Sequence, residues 1–350
     1  IERVLGPNHA MALDAQRAVG IAQTLLGRPE QGEQRLRSAL ARARQLSGMD
    51  QTVGSLLDSL VQNLLHQSRM VESDRLQAIR AEVEVLSREL LEQSERIMGP
   101  ESLQAIRARV ALAQALCHRG DYVAAAGLCG PILDTSADRL GECHSTRSDA
   151  RTILSWAKYR LGDANAAAQL QLEVVHCNRA GAINPIVLLA AIYEALPFLD
   201  QGRRWPEGEA LAHEASDMLK SYGGGHGGML LGAEAHVARF ISLQGRIDEA
   251  EALFESVLTR IPEIDDDPKF VARIKLLHAG HLIQRGQLEA AQQRLDEVVE
   301  LEGDPRNGTM DTTVDDIITQ YIELYRAWGK PAEVERYQRM REEVLRMPMK

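Results

Sequence analysis

At 350 residues the chain exceeds what one rounded core usually supports, so two domains or a repeat array is expected. Apolar residues make up 45% and aromatics only 4%, which suits close-packed helices of Ala, Leu, Val and Ile better than a sheet sandwich. A net charge of −10 repels phosphate backbones, no apolar run reaches the roughly 18 residues a bilayer span needs, and four cysteines are too few for a disulfide scaffold.

In chain order, "IERVL" at 1–5 reads as the tail of a helix that Gly6-Pro7 ends, with the next helix beginning shortly after His9. That opening reads as a junction between structural units, and hence as a fragment of a larger protein. A helix–Gly–turn–helix unit then recurs, clearest in "ALCHRGDYVAAAGLCGPIL" (115–133), "FISLQGRIDEAEALFESVL" (240–258) and "HLIQRGQLEAAQQRLDEVV" (281–299). The marker glycines are Gly27, Gly120, Gly162, Gly202, Gly245, Gly286 and Gly329, and Ser68 fills the missing slot. Successive spacings are 41, 52, 42, 40, 43, 41 and 43. Seven residues before each marker stand Gly20, Val61, Ala113, Ser155, Ala195, Ala238, Ala279 and Ile322, mostly small, as closely crossing helices require.

Two units depart from the frame. The second carries about ten extra residues, placed at 67–80 and read as an extended, protruding helix. The fifth carries one extra residue at "GRRWPEGEAL" (202–211), where Gly208 replaces the usual Ala. "YGGGHGG" (222–228) is a linker, since no strand precedes it and no Lys-Ser/Thr pair follows. In "EIDDDP" (263–268), Asp266 or Asp267 is expected to cap the helix that opens at Pro268. The closing hairpin, 312–346, ends in a highly charged helix, as a capping repeat needs.

These features resemble the tetratricopeptide repeat over nearly the whole chain. Ala238, Gly245, Ala250, Phe254 and Pro262 stand at the motif's places, and the 42-residue period with "LGPNHAMAL" (5–13) resembles the kinesin-light-chain-like subgroup found in bacterial multidomain signalling proteins. The resemblance implies one all-α domain over 1–350, a right-handed α-solenoid of about eight hairpins whose first helices line a concave groove. That groove would bind a peptide or helix of a protein partner, with Trp156, Tyr159, Arg160, Ile192, Tyr193, Leu196, His236 and Arg239 as its lining. An apolar, aromatic centre (Ile153, Trp156, Tyr159, Ile192, Tyr193, Leu196, Leu199) is expected between polar flanks (Arg107, Gln114, His118; His236, Arg239, Ser242). The family's chaperone-clamp and Asn-ladder positions carry other residues here, among them Arg17, Ile21, Ser59, Arg107 and Ala111.

The expected role is a protein-interaction scaffold or sensory module of a signalling protein. The alternatives are a sensor for an apolar small ligand and a self-association module, a homodimer among them. No catalytic signature, cofactor motif or metal-ligand spacing is present, so no enzyme, cofactor or metal is expected, nor a nucleic-acid partner. Unpaired cysteines favour the cytoplasm, and a membrane-anchored sensor kinase as parent would place the chain in the periplasm.

Overall fold

The computed structural model describes residues 2–68, 74–181, 184–222, 227–263, 268–302 and 312–346. The described residues are helical with no strand, and the chain divides into two compact units, 1–157 and 158–350. The middle of the insertion (69–73), the middle of the glycine linker (223–226) and the expected cap Asp266-Asp267 lie outside the described residues.

In the first unit, α1 (Glu2–Leu5) precedes three hairpins: α2 (Ala10–Leu25) with α3 (Pro29–Arg44), α4 (Asp50–Ser68) with α5 (Asp74–Met98), and α6 (Leu103–Arg119) with α7 (Tyr122–Thr135). A short α8 (Ala137–Leu140) and most of α9 (Ser145–Arg160) complete it. The turn chemistry follows from the sequence. Gly120 takes a left-handed φ of 90°, which ends α6, and the next residue, Asp121, accepts from the Ala124 amide at 3.2 Å and starts α7. Small residues set the helix approach. A Cβ on Gly32 would lie 2.7 Å from the Gly20 carbonyl oxygen, so α3 reaches α2 only because both positions are glycine. The core beneath is Leu13, Leu36, Leu57, Leu64, Val83 and Leu90, all buried.

The second hairpin's extra length does not protrude. Leu76 and Ile79 in the opening turns of α5 are 3% and 6% exposed, and Ile79 joins that same core. Arg75 donates to Gln67 at 3.0 Å, which ties the start of α5 to the end of α4. The α5 helix is amphipathic from its first turn, so the added residues extend packing instead of forming an arm.

The second unit continues with α10 (Ala164–Ala180) and four hairpins. These are α11 (Pro185–Gln201) with α12 (Trp205–Ser221), α13 (Gly227–Leu243) with α14 (Ile247–Arg260), α15 (Pro268–Gln284) with α16 (Leu288–Glu302), and α17 (Thr312–Ala327) with α18 (Pro331–Arg346). The small crossing residues Ala195, Ala238 and Ala279 are fully buried. First and second helices differ in burial: α13 buries twelve residues and α14 three, so the first helix is the enclosed one. The fifth repeat's extra residue shifts its turn. Gly202 has an ordinary φ of −78°, and the left-handed residue is Arg203, at 56°. Gly202 is needed for space instead, because a Cβ there would lie 2.6 Å from the Ala168 Cβ.

Candidate functional site

The residues expected to line the groove fall into three groups. Trp156 belongs to the first unit and is partly buried on α9. Ile192 and Leu196 are fully buried, as is Leu199, so they support a wall without offering surface. The others, all in the second unit, are polar side chains, most of them held by groups on neighbouring helices. Tyr159, one turn along α9 beside the partly buried Arg160, donates its hydroxyl to Asp315 Oδ2 at 2.6 Å and sets its ring edge-on to Phe198. Tyr193 donates to the Met229 carbonyl and meets His236 edge-to-face at 6.4 Å. Burial raises both tyrosine pKa values, so the hydroxyls stay protonated donors.

His236 is 5% exposed; burial, then the nearby Arg273 and Arg239, hold its pKa well below the usual imidazole value, so it is neutral. Arg239, 4% exposed, donates through Nε to Asp200 Oδ2 at 3.1 Å. The apolar centre expected from the sequence is therefore a hydrogen-bonded, charged one. Its apolar side chains turn into the helix packing, because they share the faces that the crossing alanines bury.

Several members were invisible in the sequence. Arg273 pairs with Asp316 at 2.6 Å, and Arg341 holds both oxygens of Asp315, donating through Nε at 2.7 Å and Nη2 at 3.1 Å. Gly280 makes room for this layer, since a Cβ there would strike the Arg239 guanidinium. The acidic pair Asp315-Asp316 opening α17 looks in the sequence like ordinary helix-dipole compensation. Only the neighbouring helices reveal that Asp315 is buried and Asp316 mostly covered.

Burial works against two of these carboxylates. Burial pushes the Asp316 carboxyl up to about 6 against the pull of Arg273, and burial likewise raises Glu323, with Arg239 and Arg326 opposing. Glu323 makes no ion pair among the described residues, and Gln320 Oε1, one turn before it, has no hydrogen-bond partner among them. A carboxyl that burial raises, with no ion pair of its own among the described residues, marks a place that a cationic group would stabilise.

A second polar cluster has the outline of a nucleophilic triad. Ser242 Oγ lies 2.8 Å from His281 Nδ1, and His281 Nε2 lies 2.7 Å from Glu251 Oε2. Ser242 and His281 are 1% and 0% exposed, and the Ser242 hydroxyl is also bonded to Gln284. With no surface for a substrate to reach, the cluster pins α13, α14 and α15 together. Among the described residues no three His, Cys, Asp or Glu side chains are grouped to hold a metal, and no helix is long and apolar enough to cross a membrane. Cys117 and Cys129 are buried, whereas Cys143 and Cys177 are not free thiols. That corrects the reading of all four as unpaired and removes its bearing on compartment.

Residues 243–307 match the tetratricopeptide repeat family, from the turn after α13 through α16. The chain is similar to a Rap protein complexed with competence and sporulation factor, at 10% identity and a TM-score of 0.51, covering 95% of this chain and 97% of that one. The apo form of RapI aligns at 9% identity and a TM-score of 0.60 over the same shares. Kinesin light chain nearly identical TPR-like repeats from Podosopora anserina align at 18% identity, over 58% of this chain and 95% of that one, with a TM-score of 0.49. No curated protein matches the sequence. Identities this low speak to the fold.

Proposed function

We propose that this tetratricopeptide-repeat chain is a protein-interaction scaffold, a regulatory module of a signalling protein whose second unit receives a peptide or helix of its partner on the side lined by the first helices. The observation that carries this reading is Glu323: a half-buried carboxylate, raised in pKa and without an ion pair among the described residues, beside Gln320 with its unpartnered Oε1. A core has no use for such a group, and replacing it by an uncharged one should stabilise the fold. Its retention fits a ligand cation, so the partner segment carries a Lys or Arg that reaches Glu323 and Asp316. Tyr193, partly exposed and packed edge-to-face on the buried His236, borders the seat of the partner. The charged lining supports a polypeptide partner over an apolar small effector. The solved Rap protein complexed with competence and sporulation factor is a precedent for a partner on this fold.

The test is selection of a random peptide library on the purified chain, followed by affinity measurement on the selected peptides. Enrichment of basic residues is expected. Glu323→Gln should weaken those peptides by about 1.5–3 kcal/mol while raising the melting temperature. Peptides without basic residues, or binding indifferent to Glu323→Gln, would refute the reading.

A further inference from the structure

Solenoid repeats ordinarily touch only their immediate neighbours. The second unit departs from that rule on its inner face. Tyr159 stands three residues before the marker Gly162, and its hydroxyl donates to Asp315 on α17, a helix whose marker, Gly329, is four repeats further on. The first helices α11, α13 and α15 lie between the two in sequence, and side chains from them add to the bridge. Phe198 of α11 meets the Tyr159 ring edge-on at 5.6 Å. Arg239 of α13 passes Gly280 of α15 on the way to Gln320 of α17. A Cβ on that glycine would lie 2.9 Å from both the Arg239 Cζ and the Gln320 Nε2.

Burial follows the bridge. Six residues before the marker, the helices α11, α13 and α15 carry Leu196, Arg239 and Gly280, all buried. At that place the first unit carries Ile21, Gln62, Gln114 and Trp156, none of them buried, and Gln62 is exposed. Glu323, at the same place on α17, is partly exposed, as is Gln320. A partner therefore meets only this rim, while Arg239 and His236 behind it are 4% and 5% exposed.

We infer, on the reading that a basic segment docks there, that the inner face of the second unit stands shut and that the Tyr159–Asp315 bond is the clasp a partner must release. Two features suit this bond to release. It consists of one hydrogen bond and one ring edge, far less than the apolar packing that joins adjacent helices, so it breaks in a local opening that leaves the repeats folded. Arg341 holds Asp315 from α18, within the same hairpin, so the carboxylate keeps a counter-charge after the tyrosine leaves. A partner segment that binds only the open face shifts the chain toward it.

The test uses the whole chain, first without a partner. Diethyl pyrocarbonate modifies neutral imidazoles that solvent reaches, and mass mapping gives the rate at each histidine. His236 reports on the shut face. His278, buried against Phe254, gauges general loosening, and the exposed His213 calibrates the reagent. Tyr159→Phe should raise the His236 rate at least about fivefold, in keeping with one lost hydrogen bond, while the His278 rate stays as it was. An unchanged His236 rate would overturn the inference, as would an equal rise at His236 and His278. Basic peptides from the library should associate faster with Tyr159→Phe by a similar factor, and equal association rates would also overturn the clasp. A library that yields no basic peptide would refute the proposed seat alone, because the labelling decides the clasp without a partner.

Discussion

Tyr159 and Asp315 are 156 residues apart in sequence and 2.6 Å apart in the fold. The bond joins the last turn of α9 to the first turn of α17, so the second unit is tied from one end to the other. Asp315 is 1% exposed and also holds Arg341, which makes the tyrosine one of two supports for an enclosed carboxylate. Tyr159→Phe should cost about 1–2 kcal/mol, since Arg341 keeps Asp315 from being wholly orphaned. Amide exchange in α17 should quicken while exchange in α2–α6 stays as it was. Equal protection in α17 would mean that the bond carries no stability.

Glycines in this chain do different work, and a matched pair separates the roles. Gly32→Ala should destabilise by about 1–3 kcal/mol, because its Cβ would press on Gly20 backbone. Gly127→Ala lies in the exposed middle of α7 with nothing within 4 Å, and should stabilise by roughly 0.5–1 kcal/mol. Chemical denaturation of the two variants checks both signs.

The turn of the fifth repeat offers a third test. Arg203 is exposed and left-handed, a conformation that costs a side chain about 1 kcal/mol relative to glycine. Arg203→Gly should recover up to that amount, while Gly202→Ala, one position back, should lose stability against Ala168. An inverted order would place the turn's constraint where the sequence alone puts it, on Gly202.

That turn shows how far the sequence could be read. The hairpin frame was legible because two independent registers, the marker glycines and the crossing residues seven positions earlier, recur together. Ala113, Ala195, Ala238 and Ala279 are all completely buried, as a crossing requires. Within one repeat, however, a single inserted residue moved the left-handed position from Gly202 to Arg203. The candidate site was legible by helix face only. Tyr159, Tyr193, His236 and Arg239 sit in the polar layer, but Ile192 and Leu196 share their turns and point into packing. A repeat period resolves which helix a residue lies on, and not the fraction of a turn that separates wall from lining. The carboxylates Asp315 and Asp316 were missed because Tyr159 and Arg273 reach them from other repeats, a long-range pairing with no local signal.

Acid should weaken the second unit through its buried imidazoles. His278, against Phe254 at 5.1 Å, is pushed down to about 4 by burial, and His281 shifts the same way for the same reason. As pH falls, the unfolded chain takes up these protons first, near the ordinary 6.5. The contribution of His278 is therefore complete above that value and is lost as pH drops toward 4, by up to about 3 kcal/mol. Asp316 opposes it. With its carboxyl at about 6 instead of the ordinary 3.8, the folded state takes the proton first and gains stability as pH falls through 6. His278→Leu isolates the imidazole. Urea melts at about pH 7 and about pH 5 should show a smaller loss for the variant than for the parent chain. Parallel losses would remove His278 from the account.

The central claim is that partners dock where the first helices of the second unit hold their polar layer. A photo-reactive amino acid at Gln320, beside Glu323, tests it most directly, with the same group at Thr259 on the exposed side of α14 as the control. With a selected basic peptide present, cross-links should form from position 320 and not from 259. Cross-links from 259 alone, or in equal yield from both, would contradict it.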